Sequence, residues 1–470
     1  MNPKLQLVAG IDTSTQSVKV VIRDAQSGQV IREGRAAHPD GSEVDPALWW
    51  TATQAAIEMA GGLDDVSAIA VAGQQHGMVA LDKAGKVIRP ALLWNDTRSA
   101  AEAEELNSEM GGGSGIASAV GSALVASFTA SKVRWLAKNE KENAARVAIV
   151  ALPHDWISWK ISGSTDIGDV FTDRGDASGT GYFDSVKNEY RKDIFAKAIG
   201  SDQEVKFPRI VEPRTFATKT KSGIPIAAGT GDNAAAAIGV GAEPGDVVVS
   251  LGTSGTAFAV STTPTHDASG EVAGFADGTG YFLPLVCTLN AARILDAATR
   301  ILGVTHDELG ELALKAKAGA NGLTLLPYFE GERTPNRPDA TGVFSGMNLA
   351  NSNREDLARA MIEGMLCGMA DAVASLEKLG VEIKRILLVG GAAKNPAVGK
   401  IASALFGREV LVPPPGEYVA IGAAKLAAWA LLGSERPPQW NLGEVTSIKE
   451  VPTPEVLVKY RKLRDQTQGW

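Results

Sequence analysis

One short pattern occurs twice in this chain and constrains its fold more than any other feature. Residues 7–11 form a compact apolar run, Asp12-Thr13-Ser14-Thr15-Gln16 a small polar turn, and residues 18–22 a second apolar run. The same order returns as residues 246–251, then Gly252-Thr253-Ser254-Gly255-Thr256, then residues 257–260, with Thr13-Ser14 matching Thr253-Ser254. Short apolar runs bounded by turn residues read as strands. Each half of the chain therefore opens with a hairpin. That implies two domains of like topology, 1–241 and 242–470, joined between residues 239 and 244, with each hairpin turn facing a shared cleft.

The rest of the sequence alternates strands with helices, the pattern of an α/β protein. Residues 29–36 read as a third strand of an opening meander. A helix follows Asp45-Pro46, with Asp at the cap and Pro in the first turn, and its face is expected to carry Leu48, Trp49, Ile57 and Met59. Residues 67–72 and 147–152 read as buried strands. The Gly/Ala/Ser-rich stretch 111–127 reads as a mobile loop at the edge of a lid, and 419–432 as a packed helix despite Lys425.

Composition narrows the function classes. A length of 470 residues allows a large core. A net charge of −8 offers no general attraction to nucleic acid or anionic lipid. An anionic ligand would need a local site. The two cysteines, Cys287 and Cys367, cannot build a disulfide framework or a zinc cluster. They read as buried thiols of a reducing, cytoplasmic compartment. The apolar run after the first residues is too short for a signal peptide, and no uncharged run approaches the ~18 residues of a membrane span.

No Gly-x-x-x-x-Gly-Lys-[Ser/Thr] occurs, so phosphate cannot be held by a P-loop. The Gly-x-Gly-x-x-Gly fingerprints are also absent. The two hairpin turns offer another way, because backbone N–H groups of Gly, Thr and Ser can converge on an anion. Read alone, each is equally a plain β-turn. Asp12 either holds a divalent cation beside phosphates or only caps its turn. Gly229-Thr230-Gly231-Asp232-Asn233 follows an apolar strand and opens a small-residue helix. Asp232 there is either a base for an acceptor hydroxyl or a helix N-cap. Residues 386–389 feed Gly390-Gly391-Ala392-Ala393-Lys394-Asn395-Pro396, a turn open enough for a flat ring to approach. On the other side, Gly73-Gln74-Gln75-His76-Gly77 places amides and an imidazole at a strand end. Groups of this kind donate to and accept from sugar hydroxyls. Trp94-Asn95-Asp96-Thr97-Arg98 adds an aromatic face.

At these residues the sequence resembles the FGGY family of carbohydrate kinases, and within it the xylulokinases. The resemblance spans nearly the whole chain. Its markers in family order are Gly10-Ile11-Asp12-Thr13-Ser14-Thr15, Asp45-Pro46 with Trp49-Trp50, Gly73 to Gly77, Leu93-Trp94-Asn95-Asp96, Gly231-Asp232-Asn233-Ala234-Ala235, Ser250-Leu251-Gly252-Thr253-Ser254-Gly255, Leu326-Pro327-Tyr328 with Gly331-Glu332-Arg333-Thr334-Pro335, Gly390-Gly391-Ala392, and Ala420 to Ala424.

The resemblance implies two actin-like, RNase H-like domains flanking a catalytic cleft, and phosphorylation of D-xylulose by ATP with Mg²⁺. It implies Asp232 as general base, with Gln75, His76, Asp232 and Asn233 binding the sugar. Asp12 would act through the metal. Thr13, Ser14 and Thr15, with Gly252, Thr253 and Ser254, would hold the phosphates, and Gly391, Ala392 and Asn395 would border the adenosine. A homodimer is likewise what the family leads one to expect. Two positions depart from the family pattern. Gln75 stands where Met is usual, which bears on the sugar. Ala392 puts a methyl where a third glycine is usual, which bears on nucleotide fit. Two alternatives to D-xylulose phosphorylation are a kinase of the same family acting on ribulose, fuculose, gluconate or a pentitol, and a non-enzymatic actin-like ATP-binding module. The pairing of Gln74-Gln75-His76 with Asp232-Asn233 argues against the second, since a module without a small acceptor needs neither.

Overall fold

The computed structural model describes residues 5–469 and divides into two compact units. Unit 1 comprises 1–241, 262–283 and 417–442; unit 2 comprises 242–261, 284–416 and 443–470. In chain order the main elements begin with β1 (Leu7–Thr13), β2 (Ser17–Asp24), β3 (Val30–Ala37), α1 (Pro46–Met59) and β4 (Val66–Gly73). They continue with α2 (Gly112–Val120), α3 (Pro153–Ser162), β5 (Phe216–Lys219), β6 (Pro225–Ala227), β7 (Thr230–Gly231) and α4 (Asp232–Val240). Then come β8 (Asp246–Leu251), β9 (Gly255–Ala259), β10 (Phe282–Thr288), α5 (Arg354–Lys378), β11 (Arg385–Val389), α6 (Pro396–Phe406), β12 (Val410–Val412), α7 (Tyr418–Leu432) and β13 (Thr446–Ile448).

The sheet of unit 1 runs β5–β6–β4–β1–β2–β3, with β7 also on β4. β1 pairs antiparallel with β2 and parallel with β4. In unit 2 the order is β10–β9–β8–β11–β12–β13, and β8 pairs antiparallel with β9 and parallel with β11. The two openings thus share one topology, as the repeated hairpin implied.

β1 and β2 are buried at nearly every position because both faces of their sheet are covered. One face packs Ala9, Ile11, Val20, Ile22, Ile69 and Val71 against Trp49, Ala56 and Trp156. The other packs Val8, Val21, Ala68 and Ala70 against Ile238 of α4 and Ala420, Ile421 and Ala424 of α7. A Cβ on Gly10 would lie 2.1 Å from Ala420 O, so this glycine lets α7 settle directly on β1.

The compact units are not contiguous in sequence: 262–283 and α7 group with unit 1, α7 because its Ala/Gly face fits the small residues of β1 and α4. Two expectations are corrected. The stretch 111–127 is not a mobile loop: α2 fills most of it, burying Ile116, Ala117 and Val120. Its glycines serve close packing, since a Cβ on Gly113 would sit 2.3 Å from Ala268 O. In α1, Asp45 caps as expected by accepting from Ala47 N. The buried face is Trp49, Ala52, Thr53 and Ala56, the i, i+3, i+4, i+7 stripe, whereas Leu48 and Met59 are exposed. Among the described residues no helix is long and apolar enough to cross a membrane.

Candidate active site

Strand register gathers the polar residues of unit 1. Thr13 of β1 pairs with Gly73 of β4, and Gly231 of β7 pairs with the same Gly73. Neighbouring strands lie about 4.8 Å apart. Asp12, the loop after Gly73 and Asp232 therefore emerge side by side at one sheet edge.

Asp12 is wholly buried. Its Oδ1 accepts from the Ser14 amide at 2.9 Å and from the Ser14 hydroxyl. Its Oδ2 lies 3.3 Å from Lys19 Nζ, which reaches Glu417 Oε2 at 2.8 Å. Lys19 is the cross-strand partner of Asp12 in the hairpin. Burial pushes the Asp12 carboxyl up from its ordinary value, and Lys19 and Ser14 work against that push.

Asp232 is the first residue of α4, whose N-cap is Gly231, so it does not cap the helix. Its Oδ1 accepts from Asn233 N at 2.8 Å and Asn233 Nδ2 at 2.9 Å. Burial, and then the negative charge of Asp12, pushes its carboxyl up to about 7. Asn233 Nδ2 also donates to Gln75 Oε1 at 3.2 Å, which ties the base loop to the amide loop. His76 holds a left-handed φ of 68°. Its Nδ1 donates to Gly179 O at 2.6 Å, and its ring lies 5.1 Å from that of Phe128 and 5.4 Å from that of Phe275. Trp94 Nε1 donates to Thr15 Oγ1 at 2.9 Å, so that indole braces the turn.

Thr13 Oγ1 and both amide atoms of Gln74 are among the buried polar atoms without a hydrogen-bond partner. Leaving such groups unpaired costs about 1–3 kcal/mol each, which a bound ligand can relieve. The Asp12 carboxylate with the Thr13 and Ser14 hydroxyls forms a hard-oxygen donor set, which suits a divalent cation such as Mg²⁺.

In unit 2, Ser250 of β8 pairs with Val389 of β11, so the Gly252-Thr253-Ser254 turn and the Gly390-Gly391-Ala392 turn leave the sheet at the same edge. Gly390 is the glycine this turn requires: its φ is 99°, and a Cβ would lie 2.5 Å from Leu251 O. Gly391 faces open space, and Ala392 is largely buried. Asn395 behaves differently from its neighbours. Its Oδ1 accepts from Ala397 N at 2.9 Å as the N-cap of α6, and its Nδ2 donates to His306 O at 2.6 Å. The side chain is thus engaged with backbone at both ends.

Asp12, Thr13, Ser14, Thr15, Gln75, His76, Asp232 and Asn233 thus share one sheet edge of unit 1, and Gly252, Thr253, Ser254, Gly391 and Ala392 share one of unit 2. Sequence reading missed Lys19. A signal for Lys19 existed, since the turn at 14–16 between the two strands brings position 19 back opposite Asp12.

The family model for the N-terminal domain of FGGY carbohydrate kinases matches residues 7–239, and that for the C-terminal domain matches 247–431. The chain is 41% identical over 454 residues to a xylulose kinase of Streptomyces coelicolor, covering 93% of this chain and 91% of that one. It is 32% identical to a xylulose kinase of Escherichia coli, covering 89% of each. The crystal structure of xylulose kinase from Bifidobacterium adolescentis superposes with a TM-score of 0.90 at 48% identity, covering 98% of this chain and 99% of that one. A Plasmodium falciparum glycerol kinase with ADP shares the fold at a TM-score of 0.85 and 20% identity, over 98% of each chain. With both family domains matched in order along one chain, this protein belongs to the FGGY family of carbohydrate kinases.

Proposed function

We propose that this carbohydrate kinase phosphorylates D-xylulose with Mg²⁺ and ATP, giving D-xylulose 5-phosphate and ADP. The observation that carries the chemistry is the carboxyl of Asp232, raised to about 7 and joined through Asn233 to Gln75. The sugar follows from the xylulose kinases that resemble the chain over about nine-tenths of its length. Asn233 holds Oδ1 of Asp232 twice. Oδ2 is then the oxygen that takes the proton of the sugar's terminal hydroxyl as the γ-phosphoryl group transfers in line. A value near 7 suits a base working at neutral pH.

Gln75, His76 and Asn233 bind and orient the sugar. Thr13, Ser14 and Thr15, and in unit 2 Gly252, Thr253, Ser254, Gly391 and Ala392, serve the nucleotide. Asn395, whose side chain caps α6, borders the adenosine. Asp12 would hold the magnesium ion, whose charge offsets the negative charge of the transferring phosphoryl group when bound. Lys19 opposes the upward push of burial on the Asp12 carboxyl. The protein supplies position and charge compensation rather than covalent chemistry. A cytoplasmic setting agrees with two buried thiols, Cys287 and Cys367.

The test is ADP release, measured with Mg²⁺ across D-xylulose, ribulose, fuculose, gluconate and pentitols. D-xylulose should show the highest kcat/KM. Another member of the panel exceeding it by about ten-fold, a difference of 1.4 kcal/mol in transition-state binding, would move the assignment to that sugar. ADP release indifferent to every sugar would end the kinase reading.

A further inference from the structure

Behind Asp232 lies a cluster of charge that the reaction as described does not use. His154, the second residue of α3, is fully buried. Its Nδ1 lies 3.0 Å from Asp176 Oδ2 and 3.1 Å from Asp155 Oδ1, and its Nε2 lies 2.9 Å from Ala228 O. A carbonyl oxygen only accepts, so Nε2 carries a proton. Nδ1 meets only carboxyl oxygens, so the ring and these carboxyls share a second proton across that contact. Burial alone would lower its pKa; the Asp155 and Asp176 carboxyls outweigh that and hold it well above the ordinary value.

The cluster grips the strand end that leads to Asp232. His154 holds the carbonyl of Ala228. Two residues on, Thr230 Oγ1 donates to Asp173 Oδ2 at 2.8 Å, and Asp173 Oδ1 accepts from Asp176 N at 2.9 Å. Three glycines make room for the grip. A Cβ on Gly229 would lie 2.6 Å from His154 Nε2, one on Gly73 2.8 Å from His154 N, and one on Gly231 3.1 Å from Asp176 Oδ1. The imidazole ring is therefore wedged between the end of β4, which launches Gln74 to His76, and the segment that launches Asp232. Buried ion clusters of this kind are weak contributors to stability, because apolar packing of similar volume does as well or better. What they add is directional fixing at hydrogen-bond lengths.

We propose that His154, clasped by Asp155 and Asp176, is a positioning residue that fixes the 228–231 strand end and so sets the reactive placement of Asp232. This rests on Asp232 being the base. The ring touches no substrate; it acts through Ala228 and, with Asp176 and Asp173, through Thr230.

The experiment measures kcat and both KM values for His154→Gln, Asp176→Asn and Thr230→Val, each alone and combined with Asp232→Asn, with the folded fraction of every variant fixed by thermal unfolding. His154→Gln is expected to lower kcat per folded molecule by about 10²-fold, the cost of a misplacement on the order of 1 Å, with the KM for ATP unchanged. Thr230→Val should act in the same direction more weakly. It removes only a hydroxyl, so it carries the test if the His154 variant does not fold. On the Asp232→Asn background each change should cost less than about three-fold, because residues that act through one group are not additive. A normal kcat in folded His154→Gln and Thr230→Val, with Asp232→Asn impaired, overturns this inference alone. A full repeat of the loss on the Asp232→Asn background also overturns it. A near-normal Asp232→Asn enzyme instead overturns the base assignment on which the inference stands.

Discussion

Asp232→Asn is expected to lower sugar phosphorylation by at least ~10²-fold while leaving ATP affinity largely intact, and to make the ligand-free protein more stable near pH 8. The first half follows from removing the proton acceptor while Gly252, Thr253 and Ser254 stay untouched. The second half follows from the sign of the pKa shift. The carboxyl sits at about 7 in the folded chain against an ordinary 3.8. Between these values the unfolded chain releases the proton while the folded chain keeps it. Stability therefore falls as pH rises through this window, and the full cost is present above about pH 7. Asn carries no charge and removes that cost. Thermal unfolding should show a higher Tm for the variant near pH 8 and little difference near pH 4. A variant that is both more stable and inactive marks a group held for chemistry rather than for folding. Near-normal turnover would remove Asp232 from its role.

Gly422→Val is expected to destabilise the protein by more than about 3 kcal/mol, enough to leave most of it unfolded or aggregated on expression. A Cβ on Gly422 would lie 1.8 Å from Ala235 O, and one on Gly239 would lie 1.9 Å from Tyr418 O. α4 and α7 thus cross with backbone against backbone, and no rotamer change can open that contact. The crossing also seats α4, whose first residue is Asp232, so any surviving protein should be impaired in turnover as well. Gly368→Ala is the contrasting control. Gly368 lies inside α5, and its Cβ would meet nothing nearer than Tyr460 Oη at 3.6 Å. There the change should stabilise, by up to about 1 kcal/mol of helix propensity. Equal Tm values for Gly422→Val and wild type would contradict the packing described.

The strands of this protein were legible because each opening hairpin is apolar on both faces and bounded by turn residues. Asp12 and Asp232 were legible because each stands at the end of such a run. Small residues were the main source of misreading. Gly and Ala in 111–127 look like a loop, yet they form α2, where the missing side chains admit Ala268 and Gly274. The Ala/Gly surface of α7 does not say which sheet it will cover, and it returns to unit 1 only after residues 284–416 of unit 2. Asn395 stands beside the Gly-Gly turn and, with Pro396 after it, also caps α6. His154 could not have been found from sequence. Its partners Asp176 and Ala228 lie 22 and 74 residues away, and no spacing rule links them.

The shortest route to the heart of this account is a crystal structure with D-xylulose and a non-hydrolysable ATP analogue bound together. It should show Oδ2 of Asp232 within about 2.6–3.2 Å of the sugar's terminal hydroxyl, or joined to it by one water. A sugar seated with that hydroxyl on another side chain, and the Asp232 carboxyl turned away from every sugar oxygen, would contradict it.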